Sequence, residues 1–115
     1  EPTEALTVID VNTGKYEGGR NAETTFMKIN QEAAVETAKQ LRLRNISGII
    51  IIDFIDMKSE VDKTEVLSTL NRELKKDPVK ATLVDMTKLN LAEVTRKKVK
   101  KSLREQLGNY DYRRN

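Results

Sequence analysis

The chain has 115 residues, 34% of them charged and 37% hydrophobic, which is the balance of one compact water-soluble domain. It contains no cysteine and no histidine. Disulfides, thiol nucleophiles, Ser-His-Asp triads and the usual zinc sites are therefore excluded, and any catalytic chemistry must use carboxylates. The net charge of +3 gives mild support for an anionic partner and no more.

The sequence gives no sign of a membrane protein. Its longest unbroken apolar run, Ile49 to Ile52, is far shorter than the roughly 20 residues of a membrane-spanning helix. The sequence starts at Glu1 without an initiator methionine and shows no signal peptide, so we expect a piece of a longer protein with further domains. We expect a cytoplasmic location, because the lack of cysteine suits a reducing compartment.

The first third of the chain predicts a strand and a helix. Residues 5–11 are apolar on both alternating faces, which is typical of a strand covered on both sides. Residues 12–20 contain three of the five glycines and predict a loop. Asn30 is then a candidate N-cap for a helix over about residues 31–44.

The middle of the chain repeats this order. Residues 49–54 form a short apolar run bounded by a turn, the pattern of a central strand in a parallel sheet. Ser59 can cap a second helix over residues 60–76, which Pro78 would end. Residues 81–85 predict a third strand.

The last predicted helix depends on one local pattern. Asn90, with Glu93 three residues later, resembles a capping box and predicts a third helix from about Leu91. Strand, helix, strand, helix, strand predicts an α/β fold with a small, mainly parallel sheet built from consecutive βαβ units and flanked by helices. We assign residues 1–107 to this α/β unit and residues 108–115 to a tail or linker.

Two aspartates follow the first two predicted strands. Asp10 and Asp53 lie near the carboxyl ends of these strands, where ligands gather in an open parallel sheet. If the strands are neighbours about 4.8 Å apart, both carboxylates can reach one cation, and Mg²⁺ prefers such oxygen ligands. The alternative is that one or both aspartates cap a following turn. From the residues alone, both interpretations stay open.

Other polar side chains near these strand ends are ambiguous. Asn12 shares a face with Asp10 and could orient a carboxylate, but an asparagine is also common in a turn. Asp56 could add a third carboxylate, although we favour a capping role. Arg42 and Arg44 suit the C-terminal end of a helix dipole or the phosphates of a nucleic acid.

Three segments resemble the ribonuclease E/G family. They are IDVNTG at residues 9–14, AKQLRLRNISGIIIIDFIDM at residues 38–57 and VTRKKVKKSLREQL at residues 94–107. The resemblance covers about residues 3–107, and the DVNTG form with the basic C-terminal run is closer to the ribonuclease G branch. It implies the deoxyribonuclease-I-like catalytic subdomain, in which Asp10 and Asp53 bind the catalytic magnesium and Asn12 supports them. The resemblance assigns no settled role to Arg42 and Arg44; we name them, with Lys15, as possible RNA contacts.

The resemblance also implies a function. The family cleaves single-stranded, A/U-rich RNA, prefers 5′-monophosphorylated ends and acts in RNA processing and decay, including that of rRNA and mRNA. We therefore expect a magnesium-dependent endoribonuclease subdomain whose parent is a homo-oligomer with an S1 domain and a sensor of the RNA 5′ end. The family's cysteine pair, which shares zinc between subunits, is missing, so no zinc is expected. The isolated chain should be monomeric and weakly active or inactive.

Two other function classes compete with this prediction. One is a phosphotransferase with a nucleophilic strand-end aspartate, but its second aspartate is replaced here by Asn12. The other is an RNA-binding or structural module without chemistry, which stays open for the isolated chain. A nucleotide-binding P-loop is rejected, because residues 14–19 space two glycines without the required Lys and Ser/Thr.

Overall fold

The computed structural model describes residues 5–11 and 22–99. Asn12 and Lys15 lie outside the described residues, as do the rejected P-loop segment and the predicted tail. The elements are β1 (Leu6–Asp10), α1 (Ala22–Leu43), β2 (Gly48–Asp53), α2 (Glu60–Leu74), β3 (Ala81–Met86) and β4 (Leu91–Arg96).

The four strands form one sheet in the order β1-β2-β4-β3. β1 pairs with β2 in parallel, whereas β4 runs antiparallel to both β2 and β3. The α/β class is confirmed, but the prediction of a mainly parallel sheet is wrong. β1, β2 and β3 do run in one direction, as two βαβ units require. β4 lies between β2 and β3, so the expected parallel pairing of β2 with β3 is replaced by two antiparallel pairings, β2 with β4 and β4 with β3.

The predicted third helix is wrong, because Leu91–Arg96 is β4. Its side chains alternate: Ala92 and Val94 are fully buried while their neighbours are partly exposed, which is the period-two pattern of a strand. Asn90 has a φ of 63°. A helix N-cap has an extended backbone, whereas a left-handed asparagine is typical of a hairpin turn. Asn90 therefore ends a turn that leads into a strand and not into a helix.

The two helices differ in how well the sequence predicts them. Helix α2 begins after Ser59, whose Oγ accepts a hydrogen bond from the Asp62 backbone N–H at 3.3 Å, so the predicted N-cap is confirmed. Helix α1 begins at Ala22, well before the predicted start. Asn30 lies inside it and is fully buried, so the N-cap prediction for Asn30 is wrong.

Both helices pack on one face of the sheet and against each other. The core comprises Ala34, Ala38 and Leu41 of α1, Val66, Leu70 and Leu74 of α2, Ile50 and Ile52 of β2, and Ala92 and Val94 of β4. On the opposite face, Leu6 and Val8 of β1 are each 64% exposed. Within the described part of the chain, β1 is thus covered on one side only, contrary to the prediction. No helix in that part is long and apolar enough to cross a membrane.

A buried ion pair closes the edge of the sheet where β2 begins. The Arg96 guanidinium donates to both carboxylate oxygens of Asp77, at 2.7 and 3.1 Å, and to Asn45 Oδ1 at 2.9 Å. Burial raises the pKa of Asp77, but hydrogen bonds from Arg96 and from the Val79 backbone, with the charges of Arg96 and Arg42, outweigh burial and lower that pKa below its ordinary 3.8. This pair joins β4 to the loops before β2 and β3.

Candidate active site

Asp10 and Asp53 are paired directly across two neighbouring strands. Asp10 is the last residue of β1 and Asp53 the last of β2, and the parallel register makes them Cα partners. The Val11 backbone N–H donates to the Asp53 carbonyl at 2.9 Å and extends the ladder past both residues. Parallel neighbours lie about 4.8 Å apart, and side chains in register point to the same face. The two carboxylates therefore share one edge and one face of the sheet.

The pair lies on the face away from the helices. Ile50 and Ile52 point into the core, so by strand alternation Asp53 points the opposite way, with Ile49 and Ile51. Asp10 is exposed and Asp53 partly exposed. A cation between them would therefore remain open to water and to a substrate.

The two carboxylates suit a magnesium ion better than a metal site in which the protein supplies most of the ligands. Mg²⁺ takes one or two protein carboxylates, keeps several waters and completes its shell with substrate phosphate, whereas Ca²⁺ takes six to eight oxygen ligands. Among the described residues no group of three or more Asp, Glu, His or Cys side chains is placed to hold a metal. Two register-matched carboxylates that are open to solvent therefore meet the requirement of Mg²⁺ but not that of Ca²⁺. Their role as metal ligands stays a prediction.

Asn30 fixes the loop that follows Asp53. Its Oδ1 accepts a hydrogen bond from the Ile55 backbone N–H, and its Nδ2 donates to the Ile55 carbonyl, both at 2.9 Å. Sequence reasoning missed this role. The available signal was periodicity, because Asn30 falls on the same helical stripe as the buried Ala34 and Ala38. A polar residue on a buried stripe requires hydrogen-bond partners.

Asn90 joins the β3–β4 turn, residues 87–90, to the same loop. Its carbonyl accepts from the Phe54 backbone N–H at 3.2 Å, and its Nδ2 donates to Asp56 Oδ1 at 2.5 Å. Asp56 is exposed and its hydrogen bond runs to Asn90, so the structure gives it a loop-fixing contact in place of the expected cap. The loop after β2 is thus held from α1 on one side and from the β3–β4 turn on the other.

An open cavity of about 610 Å³ adjoins Asp53. Its lining residues are Asp53, Phe54, Ile55, Asp56, Lys88 and Leu89. Lys88 and Leu89 were not among the predicted site residues, because no sequence pattern gave a role to the turn in which they lie. The cavity shares Asp53 with the candidate metal pair.

Arg42 and Arg44 lie away from the pair. Arg42 is in the last turn of helix α1 and Arg44 directly follows the helix, both before β2 starts, whereas Asp53 is at the other end of β2. Arg44 Nε donates to Gln40 Oε1 at 2.9 Å, and the charge of Arg42 helps to lower the pKa of Asp77. The structure therefore does not bring these arginines to the carboxylates, and their contact with RNA stays a prediction.

Several basic residues lie at the end of the sheet where β2 begins, opposite to the carboxylate pair. An open cavity of about 470 Å³ lies there, lined by Lys80, Thr82, Thr95, Arg96, Lys97 and Lys98. Arg96 is engaged in the buried ion pair, whereas the three lysines are exposed. The sheet thus has acidic residues, Asp10 and Asp53, at the end where β1 and β2 finish, and basic residues at the end where β2 begins.

Known proteins are similar to this sequence over almost its whole length. It is 49% identical to ribonuclease E of Synechocystis sp. (strain ATCC 27184 / PCC 6803 / Kazusa) over 108 residues, 94% of this chain and 16% of that protein. It is 46% identical to ribonuclease G of Escherichia coli (strain K12) over 109 residues, 95% of this chain and 22% of that protein. A ribonuclease E/G-like protein of Pyropia yezoensis is 45% identical over 115 residues, 97% of this chain and 23% of that protein.

These relatives are much longer than the chain, which spans 16 to 23% of their length. The identities do not separate the ribonuclease E and G branches, so the closer relation to the G branch stays a prediction. The ribonuclease E/G family matches residues 1–99. The chain belongs to the ribonuclease E/G family.

Proposed function

We propose that this chain is the metal-binding catalytic part of a magnesium-dependent endoribonuclease and that Asp10 and Asp53 hold the ion. The observation that supports this most is their direct pairing in the parallel register, at the carboxyl ends of two neighbouring strands. Strand-end aspartates that only capped turns would not need to be matched in this way. The names of the relatives, ribonuclease E and ribonuclease G, support RNA as the substrate class.

Bound magnesium would polarise the scissile phosphate and offset the negative charge that develops on its oxygens. The chain's own residues prepare this site. The β1–β2 ladder fixes the spacing of the two backbones that carry the carboxylates, and Asn30 fixes the loop immediately after Asp53. In our proposal Asn12, which follows Asp10 by two residues, orients a ligand of the same ion. We expect no zinc ligand from this chain itself, because it contains no cysteine and no histidine.

The substrate we propose is single-stranded, A/U-rich RNA that is cut during RNA processing and decay in the cytoplasm. The chain spans at most 23% of the compared relatives. We therefore propose that further parts of a longer, homo-oligomeric enzyme, including an S1 domain and a 5′-end sensor, supply most of the grip on RNA. The isolated chain, as a monomer, would cleave slowly or not at all.

The test is cleavage of a 5′-monophosphorylated, A/U-rich RNA by the intact enzyme that contains this chain. We expect Asp10→Asn and Asp53→Asn to lower the rate in magnesium by more than the roughly 10- to 100-fold typical of residues that only orient a ligand. EDTA should abolish cleavage. Asp85→Asn, which changes an exposed carboxylate on β3, is the matched control and should leave the rate unchanged.

Full activity in either variant of the pair, with native folding shown by circular dichroism, would overturn the metal-pair proposal. Hydrolysis of a small phosphate monoester in place of RNA would favour the phosphotransferase interpretation. Retained RNA binding without cleavage in any magnesium concentration would favour a module that only binds RNA.

A further inference from the structure

The β3–β4 turn has a rigid shape that its own hydrogen bonds determine. The Thr87 backbone N–H donates to the Leu91 carbonyl at 2.9 Å, and Thr87 Oγ1 accepts from the backbone N–H groups of Leu89 and Leu91 at 3.2 and 3.3 Å. Asn90 adopts the left-handed conformation that such a turn needs. Thr87 and Asn90 thus form the turn, and the side chains of Lys88 and Leu89 are not needed for it.

The turn is also held at a fixed position beside the candidate metal pair. Asn90 is 2% exposed and bonds both to Phe54, the residue after Asp53, and to Asp56. Because Asn90 directly follows Leu89, these contacts fix the Lys88 and Leu89 backbone relative to Asp53. Groups held on a rigid support bind a ligand with less loss of conformational freedom.

Leu89 is an exposed apolar residue at the cavity that Asp53 lines. It is 76% exposed, more than any other large apolar side chain among the described residues. Single exposed leucines are common on protein surfaces, so exposure alone indicates nothing. Leu89, however, lines the cavity that contains Asp53, and the neighbouring Lys88 lines it as well. An apolar residue, a cationic residue and two aspartates therefore line the same open volume.

We propose that the β3–β4 turn is a nucleotide-binding subsite for single-stranded RNA, in which Lys88 binds a backbone phosphate and Leu89 packs against a base. This rests on the proposed function, because the subsite holds the nucleotide next to the phosphate at Asp10 and Asp53. Bases of single-stranded RNA are unstacked and accessible to apolar side chains, and Lys binds phosphate as a point charge. Asp56, on the same wall, offers an acceptor to a base amino group or a ribose hydroxyl.

NMR titration of this chain tests the subsite, because it detects binding even at millimolar affinity. The probe is a short A/U oligoribonucleotide added in EDTA, so that cleavage is prevented. We expect the largest amide shifts at residues 54–56 and 87–90. Lys88→Gln should remove one phosphate contact. The slope of the logarithm of the binding constant against the logarithm of the salt concentration should therefore become less steep by about 0.7. Leu89→Ser should weaken binding roughly three- to tenfold through the lost apolar contact.

Matched controls lie on α2 and just beyond its end, away from the turn. Lys75→Gln removes an exposed cation, and Val61→Ser removes a valine that is 66% exposed. Neither should change the affinity. The subsite is overturned if both turn variants bind RNA like these controls, or if no amide of the turn shifts at millimolar RNA. It is equally overturned if Leu89→Ser changes only self-association in sedimentation, which would make the turn a protein contact.

The subsite and the proposed function can fail separately. If Asp10→Asn and Asp53→Asn leave cleavage intact while the turn variants weaken RNA binding, the metal pair is wrong and the subsite stands. If the aspartate variants abolish cleavage while the turn variants change neither RNA binding nor the KM for cleavage, the subsite is wrong and the metal pair stands.

Discussion

Replacing Asn30 with alanine should lower the stability of the fold and loosen the loop beside the metal pair. Asn30 is fully buried, and Ile55, its partner through two hydrogen bonds of 2.9 Å, is 8% exposed. The variant leaves the Ile55 N–H and C=O without partners in a place that water reaches poorly. Each such group costs about 1–3 kcal/mol, so the pair costs about 2–4 kcal/mol after the loop relaxes. Alanine's better helix propensity returns only about 0.5 kcal/mol.

Urea denaturation followed by circular dichroism measures this loss as a lower free energy of unfolding with an unchanged slope. For a domain of this size the melting temperature should fall by roughly 10–20 °C. Lys28→Ala, on the exposed face of the same helix, is the matched control and should change stability by less than about 0.5 kcal/mol. Asn30→Asp keeps the acceptor for the Ile55 N–H but replaces the donor with an oxygen. A carboxyl buried against a carbonyl favours its protonated form, so this variant should lose stability as the pH rises from about 4 towards 7.

A cost for Asn30→Ala no larger than that of the Lys28→Ala control would refute the role of the two hydrogen bonds. So would an Asn30→Asp variant whose stability does not depend on pH between 4 and 7. Either result would mean that the loop after β2 is held by its other contacts.

Three further changes test other parts of the fold. Asp77→Asn leaves the buried charge of Arg96 without its counter-ion and should cost about 3 kcal/mol at pH 7. Because the folded state lowers the pKa of Asp77, its contribution is present above its ordinary pKa of 3.8 and lost as the pH falls through the folded value, so variant and wild type should converge in urea melts near pH 2. Gly48→Ala should cost about 1–3 kcal/mol, because φ is +95° and the new Cβ would lie 2.5 Å from the Ala5 carbonyl oxygen; an unchanged melting temperature contradicts this. Ser59→Ala should remove the N-cap of α2 and cost about 1 kcal/mol, whereas Ser59→Asp should retain it.

Local patterns predicted the parts of the fold that local forces determine. The run of isoleucines in β2 and the cap at Ser59 are visible in a few consecutive residues, and both were located correctly. The strand-end positions of Asp10 and Asp53 were visible in the same way. Their register was not, because it depends on pairing between segments 43 positions apart.

Features that depend on distant partners escaped prediction. Asn90 and Glu93 match a helix-capping pattern locally, but Ala92 and Val94 bury their side chains only because β2 and β3 leave a place between them for a strand. Asn30 likewise resembles a cap until its partner, Ile55, is brought to it from 25 positions along the chain. In both cases tertiary pairing overrides a local preference.

The most direct test of the metal pair is where a divalent ion binds. Mn²⁺ accepts the same oxygen ligands as Mg²⁺ and broadens NMR signals of nearby nuclei. Added in small amounts to this chain, it should first broaden the amides of residues 10, 11, 53 and 54, and excess Mg²⁺ should reverse the effect. Asp10→Asn or Asp53→Asn should each remove the broadening, and Asp85→Asn should preserve it. Broadening centred on another part of the chain, or unchanged in both variants of the pair, would contradict the assignment of Asp10 and Asp53 as the magnesium ligands.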